Sequence, residues 1–282
     1  MPDAHQPAKQ STFRLRRRTP GSFLLVPCPK QGRSIRCQGQ LEAAAATILV
    51  SCPAVAHVQE QPMSIWYQWR HEGNDLCVEL LENHDGLRAR NEKDRGCTYV
   101  VPDFLVDMTA GKVRLLEIKP SDRLDRPTLP RKLAAMQLFA ERQGWTFHLL
   151  TEKELIQGPL LGNLRLIGRY RHARIEESFL NRLHELVPEH GVPLGHVIHC
   201  ADDSDVSNVR VHVFHLIANG RLSLDPTQRT IDDQTLLYPE GVITWDPFAS
   251  VWAPSGCSTG GPGAWSANWQ PTGTSPKTPS SS

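Results

Sequence analysis

The segment CTYVVPDFLVDMTAGKVRLLEIKP, residues 97–120, decides the fold class. Two apolar runs flank MTAGK, a turn-forming stretch, so the segment reads as a β-hairpin. One strand runs from Tyr99 to Val106 and the return strand from Lys112 to Lys119. Pro102 has no N–H to give a ladder, which places the first strand at a sheet edge or bulges it there. The return strand is strongly apolar, yet it carries Glu117 and Lys119 at alternate positions. Residues two apart share one face of a strand. A carboxylate and an ammonium therefore sit side by side at the end of a buried strand. The antiparallel return also brings Asp103, near the middle of the first strand, close to Glu117. Two readings stand: a structural ion pair on a solvated strand face, or a catalytic site.

Elements on either side frame this hairpin. QGQLEAAAATILVSCPAV is a helix from near Leu41 to Pro53, with Leu41, Ala44, Ala45, Ile48 and Leu49 on its apolar face. Glu42 lies in its first turn, where the helix dipole favours a carboxylate. AHVQEQPMSIWYQWR alternates and is rich in β-formers, giving one or two strands. LCVELLENHDG adds another strand and a turn. LPRKLAAMQLFAERQGW is an amphipathic helix that buries Leu133, Met136, Leu138, Phe139 and Ala140, with Gly144 as its C-cap. TFHLLT is a short buried strand, and EKEL starts a further helix. The order is that of a compact α/β domain over residues 36–157.

From Leu160 the pattern changes to several helices, then VHVFHLIANGRLSLD passes through Gly220 into a short β-segment ending at Asp225. A small winged-helix-like module, residues 158–248, finishes in this way. Residues 1–35 are polar, basic and irregular, and read as a flexible arm. Residues 249–282 hold one charged residue, Lys277, among Gly, Ser, Thr and Pro, and read as a disordered tail. No internal repeat is evident.

The chain of 282 residues has a net charge of only +1, so global charge says nothing about nucleic acid. Its distribution is uneven. Residues 114–174 hold twelve Lys/Arg against six Asp/Glu, and residues 1–20 hold five against one. Residues 201–282 hold four against eight. A basic middle with an acidic C-terminal part fits two different partners, or simply solvated faces. The seven cysteines are scattered, odd in number and without a CxxC pair, as in a reducing cytoplasm. Cys28 and Cys37 lack a partner pair for a zinc site. No run is long and apolar enough to span a bilayer, and GSFLLVPCP is too short and broken for a signal peptide.

The chemistry rests on Asp103, Glu117 and Lys119, with Glu42 upstream. Two adjacent carboxylates repel and need a cation between them. Mg²⁺ takes oxygen ligands, commonly one or two carboxylates, and keeps waters and substrate phosphate. Such an ion polarises a phosphoryl oxygen and acidifies bound water. A lysine beside it orients that water or stabilises charge on the reacting phosphate. The next stretch, PSDRLDRPTLPRK, is basic and proline-rich, suited to phosphate contacts. These parts suit metal-dependent phosphodiester hydrolysis. The twelve histidines include His184, His190, His196 and His199 but form no HExxH. The absence of GxxxxGK[ST] removes a P-loop ATPase. Arg165, Arg169, Arg171 and Arg174 suit either a DNA-lining face or a solvated helix. Trp252, Trp265 and Trp269 suit either a partner anchor or passive tail residues.

The order of these segments resembles the PD-(D/E)XK nuclease superfamily, whose fold is a mixed sheet flanked by helices. It is most similar to the TnsA family, the endonuclease subunit of heteromeric transposases. The residues that carry the resemblance are Leu41–Pro62, YVVPDFLV, LLEIKP, the helix around KLAAMQLFAERQGW and the later FHLIANGRLSLD, together spanning Gln40 to Leu237. The resemblance implies that Glu42, Asp103 and Glu117 hold metal and that Lys119 is the active-site lysine. Gln61, in EQP, matches a segment near the site and reads as a strand-end hydrogen-bonding residue. It further implies Mg²⁺ as cofactor, with Mn²⁺ substituting, and cleavage at the 5′ ends of a transposon. The implied partners are double-stranded DNA, a transposase subunit for the 3′ ends, and an ATP-dependent regulator bound through the C-terminal part. A stand-alone restriction or repair nuclease and an inert DNA-binding or assembly module remain as alternatives.

Overall fold

The structure, a computed structural model, describes residues 23–82, 86–176, 186–201 and 206–248. The arm up to residue 22, the tail and its tryptophans, His184 and Cys257 lie outside the described residues.

The main sheet has four strands in the order β10-β9-β8-β3. They are β3 (Val55–Glu60), β8 (Phe104–Met108), β9 (Val113–Ile118) and β10 (Thr146–Leu150). β8 is antiparallel to both neighbours, whereas β9 and β10 are parallel. The mixed sheet follows from connection length. The short turn after Met108 closes a hairpin, while a parallel pair needs a crossover. That crossover is α2 (Leu129–Arg142). It stops at Gly144, whose φ of +70° is a left-handed conformation that glycine adopts without steric cost.

β9 is buried on both faces, which explains its nearly unbroken apolar run. Leu115 packs with Ala135, Met136 and Ala140 of α2. Leu116 and Ile118 face the other way, into a core shared with α1 (Gln40–Ser51). Ala43, Ala44, Ala45 and Ala46 are all buried there, and their small side chains let α1 sit close against its neighbours.

A second, antiparallel sheet has the order β5-β4-β7-β6. It comprises β4 (Ile65–Glu72), β5 (Asp75–Leu80), β6 (Arg90–Asn91) and β7 (Arg95–Val100). The single strand expected over Tyr99–Val106 is therefore two strands in two sheets. Its first part is the end of β7, paired with β4, and its second is β8, which is interior and not an edge. Pro102 explains the split: it offers no ladder donor, and the chain crosses between sheets at that point.

Residues 24–35, expected within a flexible arm, belong instead to a hairpin that runs to Cys37. β1 (Leu24–Cys28) and β2 (Arg33–Cys37) pair antiparallel. Val26, Cys28, Ile35 and Cys37 point inward against α1, while Leu25 and Arg36 point out. Pro27 is tolerated because the two-stranded ribbon has no strand beyond it.

The C-terminal part contains α3 (Glu152–Ile156), α4 (Leu160–Gly168), α5 (Leu194–Ala201) and α6 (Val206–Ala218). Three short strands, β11 (Val192–Pro193), β12 (Leu222–Ser223) and β13 (Leu236–Pro239), form a small sheet in the order β11-β13-β12. This region has its own core around Leu194, Val197, Val209, Val213, Phe214 and Leu237. α4 joins the cores: Leu160, Leu161 and Leu164 enter the first and Ile167 the second. The chain then returns, and Phe248 is buried in the first core with Trp245 packed against it. Among the described residues no helix is long and apolar enough to cross a membrane. The six cysteines among them are free thiols.

Candidate active site

Asp103 sits just before β8, directly across from the end of β9. Its backbone N–H donates to the Leu116 carbonyl at 3.1 Å, and its own carbonyl accepts from Gln61 N–H at 2.9 Å. Its carboxylate Oδ2 then accepts the next ladder donor, Ile118 N–H, at 2.7 Å. A side chain thus replaces a main-chain acceptor at the sheet's end, and this fixes the carboxylate's direction. Gln61 has a φ of +43°, the one non-glycine positive value among the described residues. Strain of this kind costs of order 1 kcal/mol and persists only where surrounding contacts enforce it.

Glu117 and Lys119 follow on one face of the strand end, as their spacing required. Lys119 Nζ lies 2.5 Å from Glu117 Oε1 and 3.4 Å from Asp103 Oδ2, and donates to the Ile118 carbonyl at 3.0 Å. The Glu117 side chain is only 4% exposed and Asp103 13%, against 29% for Lys119. Burial and the neighbouring Asp103 push the Glu117 carboxyl up to about 8, Lys119 opposing. Burial also raises Asp103, against Lys119 and the Ile118 N–H. The two carboxylates hold Lys119 above its ordinary value in spite of its burial.

Glu42 occupies the first turn of α1, where its Oε2 accepts Gln38 N–H at 2.8 Å. Burial and Asp103 raise its carboxyl to about 7. Burial, followed by Glu42, Glu60 and Asp103, lifts the Cys37 thiol to about 12. These groups therefore share one electrostatic neighbourhood. Asp103, Glu117 and Lys119 are in direct contact, whereas Glu42 approaches from the helix on the other face of β9. Among the described residues no three His, Cys, Asp or Glu side chains form a ready-made metal-holding group.

The donor set nevertheless fits a hard divalent cation. Glu117 Oε2 is buried and has no hydrogen-bond partner. A buried carboxylate oxygen left so is costly unless a cation meets it. Two carboxylates suffice for Mg²⁺, which keeps waters and takes phosphate oxygens.

Three supporting groups were not legible as such in the sequence. Arg33 reaches from β2 to the buried Glu60 at the end of β3, with Nη1 2.9 and 2.7 Å from its two oxygens and Nη2 2.7 Å from the Val58 carbonyl. Glu60 immediately precedes Gln61, so this pair braces the segment that holds Asp103. Glu152 accepts both Ser121 N–H, at 2.9 Å, and the Ser121 hydroxyl, clamping the turn just after Lys119. Lys132 on α2 lies near Glu117 and opposes its raised pKa.

No curated protein matches the chain. Residues 52–152, which span β3 to the start of α3 and contain Asp103, Glu117 and Lys119, match the family model described as TnsA-like endonuclease N terminal, a match that supports membership of the TnsA-like endonuclease family.

Proposed function

We propose that this protein is a Mg²⁺-dependent DNA endonuclease that cuts the 5′ ends of a transposon as one subunit of a heteromeric transposase. The observation that carries the reading is the Asp103–Lys119–Glu117 contact, with Glu117 Oε2 buried and unpaired. Asp103 and Glu117 hold the ion, and Glu42 supports it from α1. A bound Mg²⁺ supplies Lewis-acid polarisation of the phosphate and a more acidic water. Lys119, anchored by two carboxylates and the Ile118 carbonyl, orients the attacking water and stabilises charge on the phosphate as the bond to the leaving oxygen breaks. The raised carboxyl pKa values belong to the metal-free site, and a cation favours the ionised forms.

The C-terminal part, residues 158–248, is proposed as a winged-helix-like unit that engages an ATP-dependent regulator. Helices α5 and α6 followed by the short β12 and β13 support this reading. A transposase subunit cutting the 3′ ends, and a cytoplasmic site of action, belong to the same proposal.

The test is nicking of transposon-end DNA with Mg²⁺, with and without the transposase subunit, by wild type, Asp103→Ala and Lys119→Ala. The proposal expects nicking by wild type, stimulated by the partner, and at least a hundredfold loss in both variants. Equal activity in all three sinks the assignment. Vigorous cutting of arbitrary DNA without the partner favours a stand-alone nuclease. No cutting under any condition favours an inert module.

A further inference from the structure

We infer that Lys132 is a DNA-binding residue of the same site, taking a phosphate oxygen of the backbone beside the scissile phosphate; this rests on the nuclease reading proposed above. In a β-α-β crossover the helix begins near the carboxyl end of the first strand. Here Glu117 lies at the end of β9 and Lys119 just after it, and α2 starts ten residues after Lys119, at Leu129. The first turn of α2 therefore stands over the catalytic end of the sheet.

Helix periodicity then places Lys132. Residues three and four apart share a helix face. Leu129, Ala135 and Met136, at those spacings from Lys132, are all buried, the last two with no exposed surface. Lys132 thus lies on the stripe that faces the sheet, one turn before Met136, on the side of β9 from which Leu115 and Glu117 project. The adjoining Arg131 is fixed, its guanidinium carbon 4.0 Å from the Trp69 ring centroid, and this holds the first turn in place.

A structural role in neutralising Glu117 is already filled by Lys119 at 2.5 Å. Lys132 itself makes no ion pair among the described residues. It remains half-buried beside an acidic cluster whose substrate is a polyanion. A half-buried lysine can lay its alkyl stem along apolar surface and keep its ammonium in water, free for an anion. A lysine so placed binds phosphate as a point charge.

The test compares wild type, Lys132→Met and Lys132→Arg on duplex DNA, measuring Kd against salt concentration with Ca²⁺ present, and cleavage with Mg²⁺. Methionine keeps the stem and its packing. The expected result for Lys132→Met is a roughly three- to tenfold weaker Kd and a salt slope shallower by about 0.9, the loss of one phosphate contact. The Mg²⁺ concentration for half-maximal cleavage should not change, and Lys132→Arg should restore the slope. A purely structural lysine would alter thermal stability without changing the slope. Wild-type cleavage with an unchanged Kd and slope in Lys132→Met overturns the inference alone. A wild type that neither binds nor cuts DNA overturns the nuclease reading together with it.

Discussion

Replacing Glu117 by glutamine removes a carboxylate that the fold accommodates at a cost. Burial, then the nearby Asp103, raises the Glu117 carboxyl from 4.5 to about 8. A raised acid pKa means that the folded chain holds a proton the unfolded chain has lost. The stability this confers is complete below pH 4.5 and is lost as the pH rises to about 8. A shift of that size corresponds to roughly 5 kcal/mol as an upper figure, at about 1.4 kcal/mol per unit. Glutamine has no proton to lose, but it weakens the contact with Lys119. The net expectation is that Glu117→Gln is ~2 kcal/mol more stable than wild type near pH 8 and close to it near pH 5. Urea unfolding of both proteins at the two pH values, with chelator present, provides the measurement. The variant should keep a residual decline from Glu42, whose carboxyl rises to about 7. Parallel declines in the two proteins, or a variant less stable at pH 8, would refute the reasoning. Adding Mg²⁺ should narrow the difference, because the ion stabilises only the chain that still has both carboxylates.

Further expectations follow from the supporting contacts. Arg33→Met strands the buried Glu60 carboxylate and should cost about 3 kcal/mol in urea unfolding, most of it recovered in Arg33→Met/Glu60→Gln. Phe248→Ala should cost roughly 3–4 kcal/mol, because a side chain buried in the first core is lost although it follows the C-terminal part in sequence. An unchanged thermal midpoint would contradict that packing. Glu152→Ala frees the turn after Lys119, so nicking should fall about tenfold while Mg²⁺ affinity holds. Equal losses in both would show that Glu152 supports the whole site and not the lysine alone.

Much of the fold is local and hence legible in the chain. The alanine-rich helix, the strands of AHVQEQPMSIWYQWR and the helix ending at Gly144 follow from composition, periodicity and caps. The pairing of Glu117 with Lys119 follows from the period of two. What was not legible depended on distant packing. Pro102 was readable as a disturbance, but its use as the corner between two sheets depends on β4 and β3 taking different partners. The β1–β2 hairpin was masked by Pro27, Pro29 and its arginines, although Ile35 and Cys37 already alternate inward. Glu42 was readable as a first-turn carboxylate, but its approach from the opposite face of β9 was not. Arg33, Lys132 and Glu152 reach the site only through tertiary contacts across 27, 15 and 31 residues. No local pattern marks them.

The central claim is that Asp103 and Glu117 form one cation site, while Lys119 acts on the chemistry. Titration of Mn²⁺ into wild type, Asp103→Asn and Lys119→Met tests it most directly. The account predicts one saturable site in wild type, retained in Lys119→Met and abolished in Asp103→Asn. Undiminished binding by Asp103→Asn would contradict it.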